Sequence, residues 1–319
     1  MLQSGKKLGD WVLQKRIGEG SMGDVWLAHS TMSERLRAAV KVLKPNPFDA
    51  PRERFVREIE ALAKLQHQAI VRVLGWGEDE DSDMLFLAME WLEGDNLAVR
   101  LARRPLTARV AVEAFALIAE GLQHAHDQGL SHRDIKPANL MLTNEGAPKI
   151  LDFGIALDDD HSRLTNVGSI TGTGPYLPPE AFTDENYQPR LGDVYATGVV
   201  LCEALTGKRA FRTDPKLSGR HKVVALMELK EAAPLDPGEE FSGQLRAVVR
   251  DATHPNPKLR FTTAKQLAQA LRKVDIGADP HDVPPPTELP SSMMPMIAVG
   301  IGGALVAFGL LVAAVLFLQ

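Results

Sequence analysis

The pattern of hydrophobic and polar positions divides the first 274 residues into a strand-rich part and a helix-rich part. Strand-like apolar runs, broken by glycines, occur at 11–13, 25–28, 39–43, 70–74 and 84–89. One helical face in the same part is formed by Phe55, Ile59, Leu62, Ala63 and Leu65. These patterns predict a mostly antiparallel sheet that carries one helix.

The helix-rich part begins after a segment at 90–94 that we expect to act as a hinge. Thr107 suits the N-cap of a long helix whose apolar face runs from Ala111 to Ala125, and Gly129 suits its end. The sequence therefore predicts an α+β fold with two unequal lobes. The small lobe is expected over 11–93 and the large, mainly helical lobe over 94–274.

The chain changes character after residue 274. Residues 275–295 are rich in proline and polar side chains, which is typical of an extended linker. Residues 296–318 contain no charged residue and no proline. A helix of this length spans roughly 34 Å, which is enough to cross a hydrocarbon core of about 30 Å. The alternative is a buried core helix, but the segment is apolar on all sides, which favours a transmembrane helix.

Composition excludes some function classes. The 319 residues carry a formal net charge of -5, with basic and acidic residues mixed along the chain. This charge gives no general electrostatic reason to bind nucleic acid, so we expect no nucleic-acid partner. Cys202 is the single cysteine, which rules out an intrachain disulfide and is expected to be a buried thiol.

A glycine-rich motif follows the first predicted strand. Gly18, Gly20 and Gly23 have the GxGxxG spacing, which occurs both in dinucleotide-binding turns and in hairpins that cover nucleotide phosphates. In the first case a helix follows, whereas here a strand-like run begins at Val25. That context favours a phosphate-covering hairpin, although the motif alone also fits a simple hairpin turn.

Lys41 lies in an apolar strand-like run. A lysine that is buried there requires an anionic partner, either a carboxylate or a phosphate. Glu58, on the predicted helix, is one candidate partner, and Glu53 and Glu60 compete with it.

The most specific motif is His-Arg-Asp-Ile-Lys-Pro-Ala-Asn at 132–139, followed by Asp-Phe-Gly at 152–154. It supplies the groups that phosphoryl transfer requires. One carboxylate orients the attacking hydroxyl, an oxygen pair holds Mg²⁺, and a cation neutralises charge on the transferred group.

These motifs, in this order, resemble those of the eukaryotic-like protein kinase family in its bacterial serine/threonine form. The resemblance covers 11–274 and implies the bilobal kinase fold, ATP and Mg²⁺ as cofactors, and serine or threonine hydroxyls of proteins as substrates. It implies that ATP is bound by a phosphate-covering loop of Gly18, Gly20 and Gly23, by Val25 and Ala39 around the adenine, and by Lys41 paired with Glu58. Met89 resembles the gatekeeper, and Glu90 and Leu92 resemble hinge residues that present backbone groups to adenine.

The resemblance also implies roles in the large lobe. Asp134 corresponds to the catalytic base and Lys136 to the lysine that marks serine/threonine specificity. Asn139 and Asp152 correspond to the two Mg²⁺ ligands.

The resemblance also implies structural roles for three further residues. Glu180 would form a buried ion pair with Arg260, and Asp193 would support the catalytic loop from the central helix of the large lobe. The usual Ala-Pro-Glu before this helix is Pro-Pro-Glu at 178–180, which keeps the glutamate.

Regulation is expected at the activation loop, the segment that follows Asp-Phe-Gly at 152–154 and ends at residues 172–180. A phosphate on this loop would relieve the buried charge of Arg133, which lies beside the catalytic carboxylate. Thr165, Ser169 and Thr171 are the candidate sites of autophosphorylation.

Two other classes of function compete with an active protein kinase. A small-molecule phosphotransferase shares the catalytic groups but lacks the peptide-docking platform that residues 172–180 build together with Arg260. A pseudokinase scaffold usually lacks Lys41, Asp134 or Asp152, and all three are present here.

The predicted transmembrane helix implies further partners. It would tether the chain to a membrane, and we expect a single-pass protein of the bacterial inner membrane with the kinase domain in the cytoplasm. Two small-xxx-small pairs, Gly300 with Ala304 and Gly303 with Ala307, suggest that two such helices form a homodimer.

Overall fold

The computed structural model describes residues 2–20, 23–43, 52–79, 84–153, 173–277 and 281. All of them belong to one compact unit, Met1–His281. Within this part of the chain, no helix is both long and apolar enough to cross a membrane. The predicted span at 296–318 and most of the predicted linker lie outside the described residues.

The small lobe contains a six-stranded antiparallel sheet. Its strands are β1 (Lys7–Leu8), β2 (Trp11–Glu19), β3 (Gly23–Ser30), β4 (Ser33–Leu43), β5 (Val73–Glu78) and β6 (Leu85–Glu90), in the spatial order β1-β2-β3-β4-β6-β5. Helix α1 (Arg52–Ala63) packs near β5 and buries Ile59 and Leu62, two members of the predicted apolar face. The predicted mostly antiparallel sheet with one helix is therefore confirmed.

One predicted strand is displaced. The pattern placed a strand at 70–74, whereas the strand begins at Val73. Upstream of it, Val71 N donates to Ile150 O (3.0 Å) and Ile150 N donates to Ala69 O (2.7 Å). This short segment pairs with the large lobe instead of extending β5, a tertiary contact that local periodicity does not reveal.

The large lobe combines a small sheet with six helices among its described residues. The sheet is formed by β7 (Gly94–Asn96), β8 (Leu140–Thr143) and β9 (Pro148–Ile150). The helices are α2 (Leu97–Leu101), α3 (Ala108–Asp127), α4 (Pro189–Thr206), α5 (Gly219–Ala232), α6 (Gly243–Ala252) and α7 (Ala264–Arg272). This architecture agrees with the predicted α+β fold of one sheet-rich and one mainly helical lobe.

Helix α3 begins and ends where the sequence predicts. Thr107 Oγ1 accepts a hydrogen bond from Val110 N (3.3 Å), which satisfies one of the free N–H groups at the helix start. Gly129, just beyond the last turn, has a φ of 76°, a left-handed conformation that suits glycine. The predicted cap and stop are both confirmed.

Helix α4 runs through the middle of the large lobe and is buried along most of its length. Gly198 allows a close approach to α6, because a Cβ at this position would lie 2.6 Å from Ala252 Cβ. Cys202 is buried as predicted, and its burial raises the pKa of the thiol to about 12. The helix thus lies within the hydrophobic core of the large lobe.

Candidate active site

The centre of the site is the Asp134 carboxylate, on the loop between α3 and β8. Its Oδ2 accepts hydrogen bonds from Lys136 Nζ (2.7 Å) and Asn139 Nδ2 (2.8 Å). Its Oδ1 accepts a hydrogen bond from the Thr173 hydroxyl (2.8 Å). The structure therefore brings together three predicted site residues and adds a hydroxyl that donates to the carboxylate.

Asp193 of α4 fixes the loop from below. Its carboxylate is buried, accepts hydrogen bonds from His132 N and Arg133 N (both 2.8 Å), and lies 2.8 Å from His126 Nε2. Arg133 has a φ of 64°, an uncommon conformation for a residue other than glycine. The bonds to Asp193 hold the backbone in this conformation and so set the position of Asp134.

Lys41 of β4 reaches across the cleft between the two lobes to Asp152, which lies just after β9. Its Nζ lies 3.0 Å from Asp152 Oδ1, and the ammonium is mostly buried. Asp152 also adopts a positive φ, 48°. Glu58 lies half-buried on α1, and its predicted pairing with Lys41 stays a prediction. A carboxylate of the large lobe is thus in contact with Lys41.

The glycines of the motif lie where β2 ends and β3 begins. Gly20 N donates to Gly23 O (2.9 Å), and a Cβ on Gly23 would lie only 2.3 Å from Val42 O. Only glycine allows this close approach of two backbones. The motif is followed by a strand, which fits the hairpin interpretation and not a helix-opening turn.

Val25 and Ala39 lie on the face of the sheet that also carries Lys41. Val25 is paired with Lys41 in the register of β3 and β4, and Ala39 is paired with Met89 in β6. Both small side chains are half-buried, whereas Val40, on the other face of the sheet, is fully buried. The structure thus places them above the cleft.

The segment after β6 joins the lobes. Glu90 N donates to Arg72 O (2.9 Å), and the Glu90 carboxylate accepts from Lys149 Nζ (2.6 Å) and Arg72 N (2.9 Å). Met89 is buried beside it. Leu92 makes no backbone-to-backbone hydrogen bond with any other described residue, so its N–H and C=O remain available to a ligand.

Glu180 and Arg260 contact each other as the sequence predicted. The guanidinium donates to both carboxylate oxygens, at 2.5 and 2.8 Å, and its side chain is 1% exposed. It also donates to the carbonyls of His254 and Pro255 and lies over the Tyr195 ring, 4.7 Å from its centroid. This pair anchors the segment at 178–180 to the large lobe.

Sequence reasoning missed Lys230 of α5. Its ammonium is fully buried and donates to Pro175 O and Leu177 O, both at 2.7 Å. It also lies over the Phe211 ring, 4.2 Å from the centroid. Burial lowers the pKa of this lysine well below its ordinary value. Lys230 therefore holds the backbone of the loop that carries Thr173.

The predicted regulatory residues Thr165, Ser169 and Thr171 lie outside the described residues. The remaining predicted residue of that group, Arg133, lies beside Asp134 as described above.

The sequence matches the family model described as "Protein kinase domain" over residues 11–271. It is also similar to three curated bacterial proteins, each at 35% identity. The first is "Serine/threonine-protein kinases drp72" of Corynebacterium efficiens, with 85% of this chain and 52% of the relative covered.

The other two relatives are from Mycobacterium tuberculosis. The match to serine/threonine-protein kinase PknA covers 90% of this chain and 67% of the relative. The match to serine/threonine-protein kinase PknB covers 83% and 43%, respectively. The chain thus spans about half the length of the first of these relatives.

Proposed function

The chain belongs to the protein kinase family, and on that premise we propose that it is a serine/threonine protein kinase that transfers the γ-phosphoryl group of ATP to hydroxyls of proteins. The observation that carries the proposal is the surroundings of Asp134. This carboxylate accepts a hydrogen bond from a threonine hydroxyl and contacts a lysine ammonium. A hydroxyl substrate requires the first interaction, and the transferred group requires the cation.

The residues present fit Mg²⁺. Asn139 uses its amide nitrogen for both of its bonds to Asp134, to the backbone oxygen and to Oδ2, which leaves its amide oxygen for a cation. Asp152 contacts Lys41 through one carboxylate oxygen, which leaves the other oxygen for a cation. Mg²⁺ prefers such oxygen ligands, completed by water and phosphate. Asn139 and Asp152 would hold the ion.

The residues also fit ATP, which supplies the phosphoryl group when it is bound. The glycine turn of Gly18, Gly20 and Gly23 offers close backbone approach, and Lys41 offers a cation for phosphate oxygens. Val25 and Ala39 provide an apolar cover for the adenine, and Leu92 provides unpaired backbone groups. Asp134 orients the substrate hydroxyl and accepts its proton, while Lys136 stays beside it as the cation.

We extend the proposal to regulation. Arg133 precedes the proposed catalytic base, so a phosphate on Thr165, Ser169 or Thr171 would pair with a cation at this site. Replacing all three hydroxyl residues with alanine is expected to lower activity strongly. Activity equal to that of the wild type would refute this mode of regulation.

We also propose that residues 296–318 tether the domain to a bacterial inner membrane, with the kinase domain in the cytoplasm, where ATP is available. The support is the uncharged length of the segment. The full chain should stay in the membrane fraction after carbonate extraction, and a chain ending at residue 280 should not. Recovery of both in the soluble fraction would contradict the tether.

Homodimerisation through this segment is a further proposal, based on the small residues Gly300, Gly303, Ala304 and Ala307. Energy transfer between labelled copies in vesicles should fall in a Gly303→Leu variant. An unchanged signal would argue against this helix contact.

The central experiment compares the purified full chain with an Asp134→Asn variant, both with ATP, Mg²⁺ and a protein substrate that offers serine and threonine. The wild type should incorporate phosphate on these residues, and the variant should be slower by at least about 100-fold, the loss expected for a general base. Binding of ATP without transfer by the wild type would favour a scaffold, and transfer to small molecules alone would favour the other phosphotransferase class.

A further inference from the structure

A pocket of about 430 Å³ lies beside the candidate active site. It lies between α2, the turn Pro137–Asn139 and the segment that follows α4. Lys136 is part of its lining, and Lys136 Nζ is 2.7 Å from Asp134 Oδ2. An extended chain advances about 3.3 Å per residue. A substrate whose hydroxyl is at Asp134 would therefore place a side chain only a few positions away in this pocket.

The outer wall of the pocket is basic. Lys208, Arg209 and Arg212 all belong to the lining, and all three residues are exposed. Within the part of the chain that the structure describes, none of these three side chains forms an ion pair or a side-chain hydrogen bond. Three cationic groups are thus grouped beside the cleft, and none of them is in ion-pair contact with a described carboxylate.

Glu203 is the one acidic residue among the described residues that line the pocket. Its carboxylate is buried and accepts hydrogen bonds from Tyr176 OH (3.1 Å) and Ala210 N (3.0 Å). Burial raises its pKa, although Arg209 and Arg212 act in the opposite direction. Its oxygens accept hydrogen bonds inside the lobe, so Glu203 acts on Arg209 and Arg212 only from a distance and forms no ion pair with either of them.

We propose that this pocket binds aspartate or glutamate side chains of protein substrates, close in sequence to the phosphoacceptor, and so makes acidic segments the preferred substrates. The inference rests on the proposed kinase function and names the substrate class of the same site. Two arginines suit this role because a planar guanidinium binds a carboxylate through two parallel hydrogen bonds. Ala98, Leu101 and Ala138 supply an apolar wall for the aliphatic part of the ligand.

The test uses the purified full chain and a set of threonine peptides. In each peptide one position near the threonine is aspartate, alanine or lysine, and the rest are held constant. We expect kcat/KM to be at least about tenfold higher for aspartate than for alanine at one or more positions, a difference of about 1.4 kcal/mol. The preference should shrink between 0.1 M and 1 M salt, where the screening length falls from about 10 Å to about 3 Å.

The variants locate the preference. The pair Arg209→Glu, Arg212→Glu should abolish it or reverse it towards lysine, while kcat/KM for the alanine peptide changes less than about threefold. Arg220→Glu is the matched control, since Arg220 is exposed but does not line the pocket, and it should keep the wild-type preference. A preference that survives in the double variant, or that is lost equally in the control, overturns the proposal.

Failure of the proposal can be separated from failure of the kinase function. If the alanine peptide is phosphorylated but aspartate gives no advantage at any position, only the acidic pocket is refuted. If no peptide is phosphorylated, the aspartate peptide is labelled with a fluorescent dye and its binding to the wild type and to the double variant is measured by anisotropy. Binding that is at least tenfold weaker in the double variant than in the wild type supports the proposed acidic preference. Equal binding to the wild type and the double variant overturns it. Selective binding of a phosphopeptide, with no response to aspartate, overturns it as well.

Discussion

Replacing Glu180 with glutamine should destabilise the large lobe severely. The substitution keeps the shape of the side chain and removes its charge, which leaves Arg260 1% exposed without its carboxylate. A second buried cation, Lys230, lies close enough for Glu180 and Arg260 to act on its pKa in opposite directions. Removing one partner of a buried ion pair costs about 3–5 kcal/mol. For a domain of this size, that corresponds to a fall in Tm of about 6–20 °C.

Urea unfolding, followed by tryptophan fluorescence, measures the change in the free energy of unfolding. Glu120→Gln is the matched control, because Glu120 pairs with Arg272 at 3.1 Å on the surface, with both side chains more than a third exposed. Such pairs contribute only about 0.2–1 kcal/mol. If Glu180→Gln loses no more stability than Glu120→Gln, while its circular dichroism remains that of the wild type, the reasoning about the buried pair is wrong.

Three other substitutions test separate contacts. Lys230→Met leaves the carbonyls of Pro175 and Leu177 without their donor, so KM for a protein substrate should rise more than KM for ATP; equal changes would contradict the role of Lys230 in holding the loop. Burial raises the pKa of Glu203 above its ordinary value of 4.5, so its contribution to stability is complete below pH 4.5 and is lost as pH rises through the folded pKa. As pH rises from 4.5 to 7, the free energy of unfolding of Glu203→Gln, measured by urea titration, should therefore fall less than that of the wild type. Identical dependence of this free energy on pH in the two proteins would refute the prediction. Gly198→Ala should cost about 1–3 kcal/mol because its Cβ would crowd α6, whereas Gly243→Ala, with open space around it, should be neutral or slightly stabilising, as chemical unfolding would show.

Local rules were sufficient for much of the fold. The cap at Thr107 and the stop at Gly129 depend only on backbone groups within a few residues, so the sequence specifies them directly. The strand predicted at 70–74 failed because the pairing of Ile70 with Ile150 is set by the other lobe. Periodicity reports which face of an element is apolar, but not which partner it meets.

The candidate site likewise contains contacts that are local in sequence and could be predicted, and long-range contacts that could not. The motifs named Asp134 and Asn139, and their five-residue separation makes their contact local. Lys230 was missed because it stands between Leu229 and Glu231 in a helix that reads as partly exposed. Its acceptors are 53 and 55 residues away in sequence, and they are backbone carbonyls, which leave no mark on residue type.

The reactivity of the buried Cys202 thiol can report the opening of α4, the central helix of the large lobe. It is the only cysteine of the 319 residues, and a pKa of about 12 keeps it in the unreactive thiol form at neutral pH. Alkylation of the native chain then proceeds only when α4 opens, so the labelling rate reports the free energy of that opening. Because the native thiol does not react, a single cysteine introduced at the surface can carry a dye or a spin label without background labelling.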